Sequence, residues 1–187
     1  MSQKQTKIIF TGSVGAGKTK AISQLSEIPI VSTETKYTEG RTGAEKQTTT
    51  VAMDYGQISL SVTEKLHLYG TPGQRRFDFM SEVLSIGGLA LVIMINNSAE
   101  DPLADLEYYL DLNKKFLQKN PAVIAITHTD ISAFPVLANY QHFLTNLGLD
   151  FPVMKLDSRD RLQVIDVLEA VVHCLEDKLL DQQETPV

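Results

Sequence analysis

The segment GSVGAGKT, Gly12 to Thr19, is the first part of the sequence whose residue types and spacing could do chemistry. It matches the G-x-x-x-x-G-K-[ST] pattern of a phosphate-binding loop, and it lies between a strand-like run and a helical one, as that mechanism requires. Backbone N–H groups of such a loop surround phosphate oxygens, and the amino end of the helix adds partial positive charge. Lys18 is expected to neutralise the β and γ phosphates, and Thr19 to offer its hydroxyl to Mg²⁺. The predicted nucleotide-binding residues of this loop are Gly12, Ser13, Val14, Gly15, Ala16, Gly17, Lys18, Thr19 and Lys20.

Three further polar segments follow strand-like runs. They are GTPGQ at Gly70 to Gln74, THTD at Thr127 to Asp130 and LDSRD at Leu156 to Asp160. A fourth polar segment, 32–48, has no periodicity and is too long for a routine connector, so we expect it to be either functional or disordered. Phosphate loops serve kinases, ATPases and GTPases alike, so the class of protein depends on these other segments.

The elements that must position these motifs follow from the apolar pattern. Short runs rich in Ile and Val alternate with amphipathic stretches, which predicts an α/β fold around a mostly parallel sheet. Residues 48–69 alternate on both sides of a turn and predict a hairpin. Its apolar positions change from odd to even numbers near Gly56, which predicts a bulge there. Strands are predicted at 7–11, 88–96, 122–127 and 152–156, and helices at 102–117, about 135–147 and 162–179.

Composition bounds the class of protein. The 187 residues fit one domain, 1–187, with 181–187 as a disordered tail. A net charge of -6 gives no reason to expect nucleic acid or an anionic membrane as a partner. No apolar run approaches the ~20 residues that cross a bilayer and no leader is seen, so we expect a cytoplasmic protein without membrane insertion. The single cysteine, Cys174, excludes an internal disulfide and a lipid anchor on a terminal cysteine.

The order of the motifs resembles that of the Ras-like small GTPases over nearly the whole chain. VAMDYG followed by LHLYGTPGQ is most similar to the bacterial MglA-type branch, whose members also carry P-G-Q without the usual acidic residue ahead of it. The resemblance implies a Ras-like P-loop fold: a six-stranded, mostly parallel sheet with one antiparallel strand, and about five helices on both faces. It also implies a molecular switch that hydrolyses GTP to GDP with Mg²⁺ and signals through two switch loops, at about 32–50 and 70–80.

The resemblance assigns roles near the γ-phosphate by position. Thr50 would close on Mg²⁺ and the γ-phosphate, with Thr49 as a near rival. Gly73 would meet the γ-phosphate through its amide. Gln74 would be the catalytic residue that orients the attacking water.

The resemblance also implies a guanine site, with departures. Asp130 would accept the guanine N1–H and exocyclic amine, although an aspartate taken alone is more often a helix-capping residue than a base-reading one. Relatives usually read N-K-x-D, whereas Thr127 and His128 stand here in place of Asn and Lys, which weakens the implied guanine specificity. His128 can still lie along the base plane. The backbone N–H near Ser158, in DSR where relatives have S-A-K, can reach O6, and Arg159 completes the predicted set.

The GTPGQ loop lacks a carboxylate that relatives carry. In Ras-like proteins an aspartate at the position of Gly70 holds Mg²⁺, usually through water. Mg²⁺ prefers six oxygens and keeps several waters, so Thr19, Thr50 and phosphate oxygens could complete its shell. Asp54 is a further predicted metal residue, because it lies on a strand expected to pair with the one that ends at Gly70, on the face opposite its apolar neighbours. An exposed strand acid is the alternative reading of Asp54.

Hydrolysis in this class is slow until an arginine reaches the transition-state charge. Arg41, Arg75 and Arg76 are internal candidates, and a partner can supply one instead. The resemblance implies protein effectors and, as a GTPase-activating protein, a small Roadblock/LC7-domain protein. Two alternatives stay open: the altered THTD favours a P-loop ATPase or small-molecule kinase, and Gly70 favours a nucleotide-binding scaffold that does not hydrolyse.

Overall fold

A computed structural model describes residues 6–38 and 48–184, with side chains described for 6–32 and 53–181. Within these ranges, seven strands form one sheet in the order β2-β3-β4-β1-β5-β6-β7. The strands are β1 (Thr6–Gly12), β2 (Val31–Thr38), β3 (Thr48–Ser59), β4 (Lys65–Gly70), β5 (Ala90–Asn96), β6 (Ala122–Thr127) and β7 (Val153–Lys155). The helices are α1 (Lys18–Leu25), α2 (Phe79–Ser85), α3 (Pro102–Leu112), α4 (Lys114–Leu117), α5 (Leu137–Asn146) and α6 (Arg161–Glu184), with a 3-10 turn at Arg75–Phe77 ahead of α2.

The sheet is parallel from β4 through β1, β5 and β6 to β7, and β3 runs antiparallel to both of its neighbours. The predicted α/β architecture, mostly parallel with one antiparallel strand, is therefore confirmed. Parallel strands end at the same edge of a sheet, and ligands of such folds bind beyond that edge. The phosphate loop follows β1, GTPGQ follows β4, THTD follows β6 and LDSRD follows β7, so all four motifs meet there.

The predicted count of six strands is wrong, because part of the polar segment is a strand. Val31–Thr38 pairs with β3 along its whole length, from Val31 opposite Tyr55 to Thr38 opposite Thr48. This strand is rich in Thr, which favours extended backbone, and it lies at the sheet edge, where polar and charged residues are usual. A buried strand would show an apolar alternation, and an edge strand does not need one.

The predicted bulge at Gly56 is also wrong. The β3–β4 pairing runs without interruption from Asp54 opposite Gly70 to Ser59 opposite Lys65. The change of the apolar positions from odd to even residue numbers has another cause, because both faces of β3 are covered by other elements. Met53 packs with the cluster around the 3-10 turn and α2, whereas Ile58 packs with the cluster of α1 and α6. At Gly56 a Cβ atom would lie 2.7 Å from Ile22, so α1 rests directly on the strand backbone there.

The core is divided by the sheet into two layers. Alternate residues of β1 and β5, such as Phe10 and Met94, pack against α1 and α6. The residues between them, such as Ile9 and Ile93, pack against the helices of the opposite face. Burial on both faces explains why these strands are continuous apolar runs in the sequence. A third cluster of Phe77, Met80 and Leu84 packs with Met53 and Tyr69, which anchors the segment that follows GTPGQ.

The helices differ from the predictions at their ends. The helix predicted at 102–117 is interrupted at Asn113, whose side chain donates to the carbonyl of Tyr109 at 2.8 Å, so α3 and the single-turn α4 replace it. The described part of the chain therefore has six α-helices rather than about five. Helix α6 continues to Glu184, so 181–184 are helical and the predicted tail at 181–187 is wrong for them, while 185–187 lie outside the described residues. No helix in the described ranges is long and apolar enough to cross a membrane.

Candidate nucleotide-binding site

The phosphate loop connects the end of β1 to the start of α1, and close approach requires glycine at two of its positions. Gly12 has φ 141° and lies so near the backbone of Met94 in β5 that a side chain there would overlap it. Gly17, the residue before α1, has φ 93°, and a Cβ atom there would lie 2.4 Å from Oγ of Ser158 in the loop after β7. Most side chains avoid these backbone angles, so glycine brings the phosphate loop against strand β5 and against the loop after β7.

Lys18 is held inside the loop that it is predicted to serve. Its side chain is only 7% exposed, and its Nζ donates to the carbonyl of Gly12 at 2.6 Å and to that of Ser13 at 2.7 Å. Burial lowers the pKa of the Lys18 ammonium to about 8, and the nearby Asp54 carboxylate opposes that change. An incoming phosphate would offset the desolvation, so the ammonium is positioned to respond to an anion.

Asp54 lies beside the phosphate loop. Its Oδ2 accepts a hydrogen bond from the hydroxyl of Thr19, and its Oδ1 accepts one from Ser32 at 3.1 Å. Asp54 is paired with Gly70 across β3 and β4, on the strand face opposite Met53. A hydroxyl and a carboxylate, both hard oxygen donors, therefore adjoin at the start of α1.

Thr50 and Thr49 are placed only by their backbones, since their side chains lie outside the described residues. Thr50 is in β3 opposite Lys36, and Thr49 is opposite Tyr37. Thr50 lies four residues before Asp54, which corresponds to about 13 Å along an extended strand. Of the segment predicted as the first switch, 39–47 is likewise outside the described residues, and so is Arg41.

The GTPGQ loop is attached at one end and pressed against the phosphate loop at the other. The amide of Thr71 donates to the carbonyl of Phe10 at 2.9 Å, and its buried hydroxyl donates to that of Thr11 at 3.1 Å. Two residues later, a Cβ atom on Gly73 would lie 2.6 Å from the Val14 amide nitrogen and 2.9 Å from the Lys18 Nζ. Only glycine permits this approach.

Gln74 is exposed and faces the same space as the phosphate-loop residues. A cavity of about 340 Å³ separates the GTPGQ loop from the start of α1. The structure thus brings together Lys18, Thr19, Asp54, Gly73 and Gln74 around one volume. The complete lining is Val14, Gly15, Lys18, Thr19, Asp54, Thr71, Pro72, Gly73, Gln74, Arg76 and Phe77.

The two candidate arginines after Gln74 point in different directions. Arg75 lies over the Tyr108 ring at 4.2 Å and 3.9 Å from the Asp105 carboxylate, so it is drawn to α3. The Tyr108 hydroxyl also donates to Asp78, and burial together with that hydrogen bond raises the pKa of Tyr108 to about 12. Arg76 instead lines the cavity, with its guanidinium 4.6 Å from the Phe77 ring.

A second pocket, of about 580 Å³, adjoins the phosphate loop where the loops after β6 and β7 meet. Thr127 is buried at its base, with its hydroxyl 3.1 Å from the carbonyl of Ala16 in the phosphate loop and 2.9 Å from Nδ1 of His128. His128 has φ 59°, a left-handed backbone conformation that few non-glycine residues adopt. The predicted base-site residues that line this pocket with Gly17 and Lys20 are Thr127, His128, Asp130, Ser158 and Arg159.

Three charged side chains form a network at the mouth of this second pocket. We call it the base pocket because the predicted base-site residues line it. Arg159 donates from Nε to Asp157 Oδ1 at 2.8 Å and from Nη2 to Asp157 Oδ2 at 2.8 Å. The same Nη2 donates to Asp130 Oδ2 at 3.0 Å. The hydrogen bonds from Arg159 hold the pKa of Asp157 down at about 2. The residue predicted to read the base is therefore paired with an arginine.

A buried hydrogen-bond pair supports the loop that carries Asp130. Asn97 is 1% exposed, and its Nδ2 donates to the carbonyl of Ser132 at 2.7 Å. Tyr140, which is 0% exposed, donates its hydroxyl to Asn97 Oδ1 at 2.5 Å. Helix α5 thereby holds the loop after β6 through two side chains that do not reach the pocket.

Sequence reasoning missed Thr71, Asp157 and Asn97. Thr71 lies inside a quoted motif, but nothing in the sequence shows that its hydroxyl is buried against Thr11. Asp157 had a local signal, because an aspartate two residues before an arginine in a loop can accept that residue's amide, as Asp157 does at 2.9 Å. Asn97 directly follows a buried strand, a position typical of site-supporting residues in parallel sheets.

The phosphate loop, the cavity beside it and the adjoining pocket define a nucleotide-binding protein of the P-loop NTPase class. A family described as conserved hypothetical ATP binding protein matches residues 30–181, and this chain belongs to that family. The match begins after the phosphate loop, so the loop is identified by its own motif and geometry. The chain is also 30% identical over 132 residues to the uncharacterized protein MJ1339 of Methanocaldococcus jannaschii, over 70% of this chain and 75% of that protein. These relationships support an ATP- or GTP-binding protein and do not single out the MglA-type branch.

Proposed function

We propose that this protein is a Mg²⁺-dependent GTPase that acts as a molecular switch, similar in mechanism to the Ras-like proteins of the MglA-type branch. The observation that carries the proposal is the convergence of Lys18, Thr19, Asp54 and Gln74 around one cavity next to a base-sized pocket. A phosphate-binding ammonium, two oxygen donors and a water-orienting amide are the groups that phosphoryl transfer needs. Phosphates would occupy the cavity and the purine the pocket.

The residues present fit a Mg²⁺ ion. The Thr19 hydroxyl and the Asp54 carboxylate are hard oxygen donors, and Mg²⁺ is usually bound by one or two carboxylates together with phosphate oxygens and water. When bound, the ion neutralises charge on the β and γ phosphates. Asp54 holds the Thr19 hydroxyl in place, and the Lys18 ammonium would balance negative charge on the phosphates.

In the proposed hydrolysis, Gln74 acts on the attacking water from the wall of the cavity. Its amide orients a water molecule whose oxygen attacks the γ-phosphorus, while the bond from that phosphorus to the bridging oxygen breaks. The products are GDP and inorganic phosphate, and the water proton passes to the phosphate. Arg76 lines the cavity and is the internal candidate to meet the transition-state charge, whereas Arg75 is held on α3. An activating partner, of Roadblock/LC7 type on the MglA-type resemblance, is the alternative source of that arginine.

The GTPGQ segment is the proposed switch. Between its anchors at Thr71 and the Phe77 cluster, it approaches the phosphate loop through Gly73. A γ-phosphate would contact the Gly73 amide, and its loss would remove that contact, so the order of 70–80 would depend on the nucleotide. Protein effectors would distinguish the two states at this surface.

Single-turnover cleavage of GTP tests the proposal. Gln74→Leu should slow cleavage by about tenfold or more without weakening GTP binding, because the side chain acts on the water. Gln141→Leu, on α5, is the matched control and should cleave at the parental rate. Lys18→Ala should lose binding. Equal cleavage rates for Gln74→Leu and the parent would remove Gln74 from the mechanism, and no cleavage by the parent would favour a non-hydrolysing scaffold.

A second candidate is an ATPase with the same phosphate chemistry. The family description names ATP, and in this chain Asp130 is paired with Arg159 rather than left as a lone carboxylate. Competition of GTP and ATP for the purified protein separates the two candidates, and chromatography of the nucleotide that co-purifies identifies the base. If ATP displaces labelled GDP and GTP does not, GTP is not the substrate.

A further inference from the structure

The base pocket has an acceptor and a donor side by side at its mouth. Asp130 and Arg159 are 58% and 65% exposed at their side chains, so both can be reached by a ligand in the pocket. Arg159 forms a bidentate salt bridge with Asp157, and this geometry fixes the plane of the guanidinium as well as its position. None of these bonds uses Nη1, which leaves its hydrogens for a ligand.

A lone carboxylate at this position favours guanine strongly. Guanine presents two donors, N1–H and the exocyclic amine, and one carboxylate can accept both. Adenine presents the N6 amine, which is a donor, next to N1, which is an acceptor. The acceptor lone pair of adenine N1 would face a carboxylate oxygen, and this unfavourable juxtaposition rejects the wrong base.

The ion pair between Asp130 and Arg159 changes this discrimination between guanine and adenine. The N6 amine of adenine can donate to Asp130 while N1 accepts from the Arg159 guanidinium, so both groups on the adenine edge find partners. Guanine can still donate to Asp130, but it must share Oδ2 with the Nη2 hydrogen bond of Arg159, which lies at 3.0 Å. Arg159 therefore helps adenine and competes with guanine at the same carboxylate.

We infer that Arg159, positioned by Asp157, is a specificity-determining residue that lets this pocket take adenine as well as guanine nucleotides. The inference rests on the proposed function, because it requires the purine to enter the pocket beside the phosphate loop. It goes beyond that proposal by naming both purine nucleoside diphosphates and triphosphates as ligands and by assigning the selectivity to a charged network. Asp157 is a positioning residue in this scheme, since it acts through Arg159.

Calorimetric titration of the full chain with ADP and with GDP, in the presence of Mg²⁺, tests the inference. The two dissociation constants of the parent should lie within about tenfold of each other. Arg159→Met keeps the aliphatic stem and removes the guanidinium, and it should raise the ratio of the ADP constant to the GDP constant by about tenfold or more, the value of one good base-edge contact. Asp157→Asn should shift the ratio in the same direction by less.

Arg161→Met is the matched control. Arg161 lies two residues later, outside the pocket, where it donates to the carbonyl of Gln24 at 2.7 Å. It should leave the ratio unchanged, and thermal unfolding checks that each variant is folded. A parent that prefers GDP by more than about a hundredfold, or an Arg159→Met ratio equal to that of the parent, overturns the inference and leaves the proposed function standing. Failure of the parent to bind either nucleotide overturns both.

Discussion

Asp54 and Gly70 lie directly opposite each other on β3 and β4, and the Asp54 side chain occupies the space beside the glycine. A Cβ atom on Gly70 would lie 3.1 Å from the Asp54 Cβ and 3.4 Å from its Oδ2. The GTPGQ loop has no carboxylate of its own, and the neighbouring strand places one at the same point of the ladder. The metal role proposed for Asp54 can therefore be tested by moving the carboxylate from position 54 to position 70.

Moving the carboxylate from β3 to β4 should preserve part of its effect. Asp54→Ala should raise the Mg²⁺ concentration that GTP cleavage requires and slow cleavage by about tenfold or more, since the proposed charged metal ligand is lost. The double variant Asp54→Ala with Gly70→Asp should recover part of that loss. Removal of the Asp54 carboxylate frees the position of its Oδ2, and the remaining contacts of the new Cβ atom, 3.0 Å to Ile22 Cδ1 and 3.1 Å to the Cβ at position 54, require only small shifts. Titration of Mg²⁺ in single-turnover cleavage measures both effects. Asp166→Ala, on the exposed side of α6, controls for the loss of one negative charge, and equal rates for Asp54→Ala and the parent would contradict the metal role.

Gly73→Ala should separate the GTPGQ loop from the phosphate loop. The new methyl group would meet the Val14 amide nitrogen at 2.6 Å, and backbone cannot yield as a side chain can. We expect slower GTP cleavage and faster amide hydrogen exchange over 70–85 in the nucleotide-bound protein. Gly88→Ala is a matched control, because its methyl group would also meet an atom at 2.6 Å, in Ile9 of the core. Gly88→Ala should lower stability but not change exchange at 70–85, and the same exchange pattern for both variants would argue against a specific loop contact.

Nucleotide binding should take up protons near pH 8. Burial lowers the pKa of Lys18 to about 8 in the free site, and bound phosphate favours its charged form and so raises that pKa. Between the two values the complex binds more protons than the free protein, so affinity should fall as pH rises above about 8, by at most tenfold per pH unit. Calorimetry of GDP binding in buffers of different ionisation enthalpy should show proton uptake at pH 8 and almost none at pH 6.5. Equal uptake at both values would contradict the assignment to Lys18.

Tyr108→Phe should loosen the start of α2. The hydroxyl donates to Asp78, and its removal leaves a partly buried carboxylate without that donor, at a cost of about 1 to 3 kcal/mol in the free energy of unfolding. The ring that supports Arg75 is kept, so the effect reports on the hydroxyl. Urea unfolding measures the change. A variant as stable as the parent would show that Asp78 is satisfied by water instead.

Tyr140→Phe should weaken nucleotide binding, although Tyr140 does not line the base pocket. It removes the donor to Asn97 Oδ1 in a fully buried position, and an unpaired buried acceptor costs about 1 to 3 kcal/mol of stability. Because Asn97 also holds the loop of Asp130, nucleotide affinity should fall while the phosphate loop is unchanged. Tyr109→Phe, in a neighbouring buried position on α3, is the control. Unaltered affinity for GDP in a destabilised Tyr140→Phe variant would limit Asn97 to a folding role.

The sequence by itself predicted those features whose causes are local. The phosphate loop is a run of eight residues in which glycine spacing, Lys18 and Thr19 act within a single turn, so its identity needs no distant contact. The central strands are apolar on both faces and short, which indicates a parallel sheet before any pairing is known. The start of α3 also has a local cause, because Asp101 Oδ1 accepts from the Ala104 amide at 3.0 Å and Pro102 occupies the first turn.

Tertiary structure decided which distant residues became neighbours. The sequence supplied Asp54 and Gly70 sixteen positions apart, and only the register of β3 against β4 placed them opposite each other. A shift of one residue would have turned Asp54 to the other face of the sheet. The pairing of Arg159 with Asp130 likewise depends on β6 and β7 ending at the same edge. Local patterns specify the buried face of each element and the turns between elements. Register and packing between elements depend on the whole core, so only the tertiary structure determines which residues form the site.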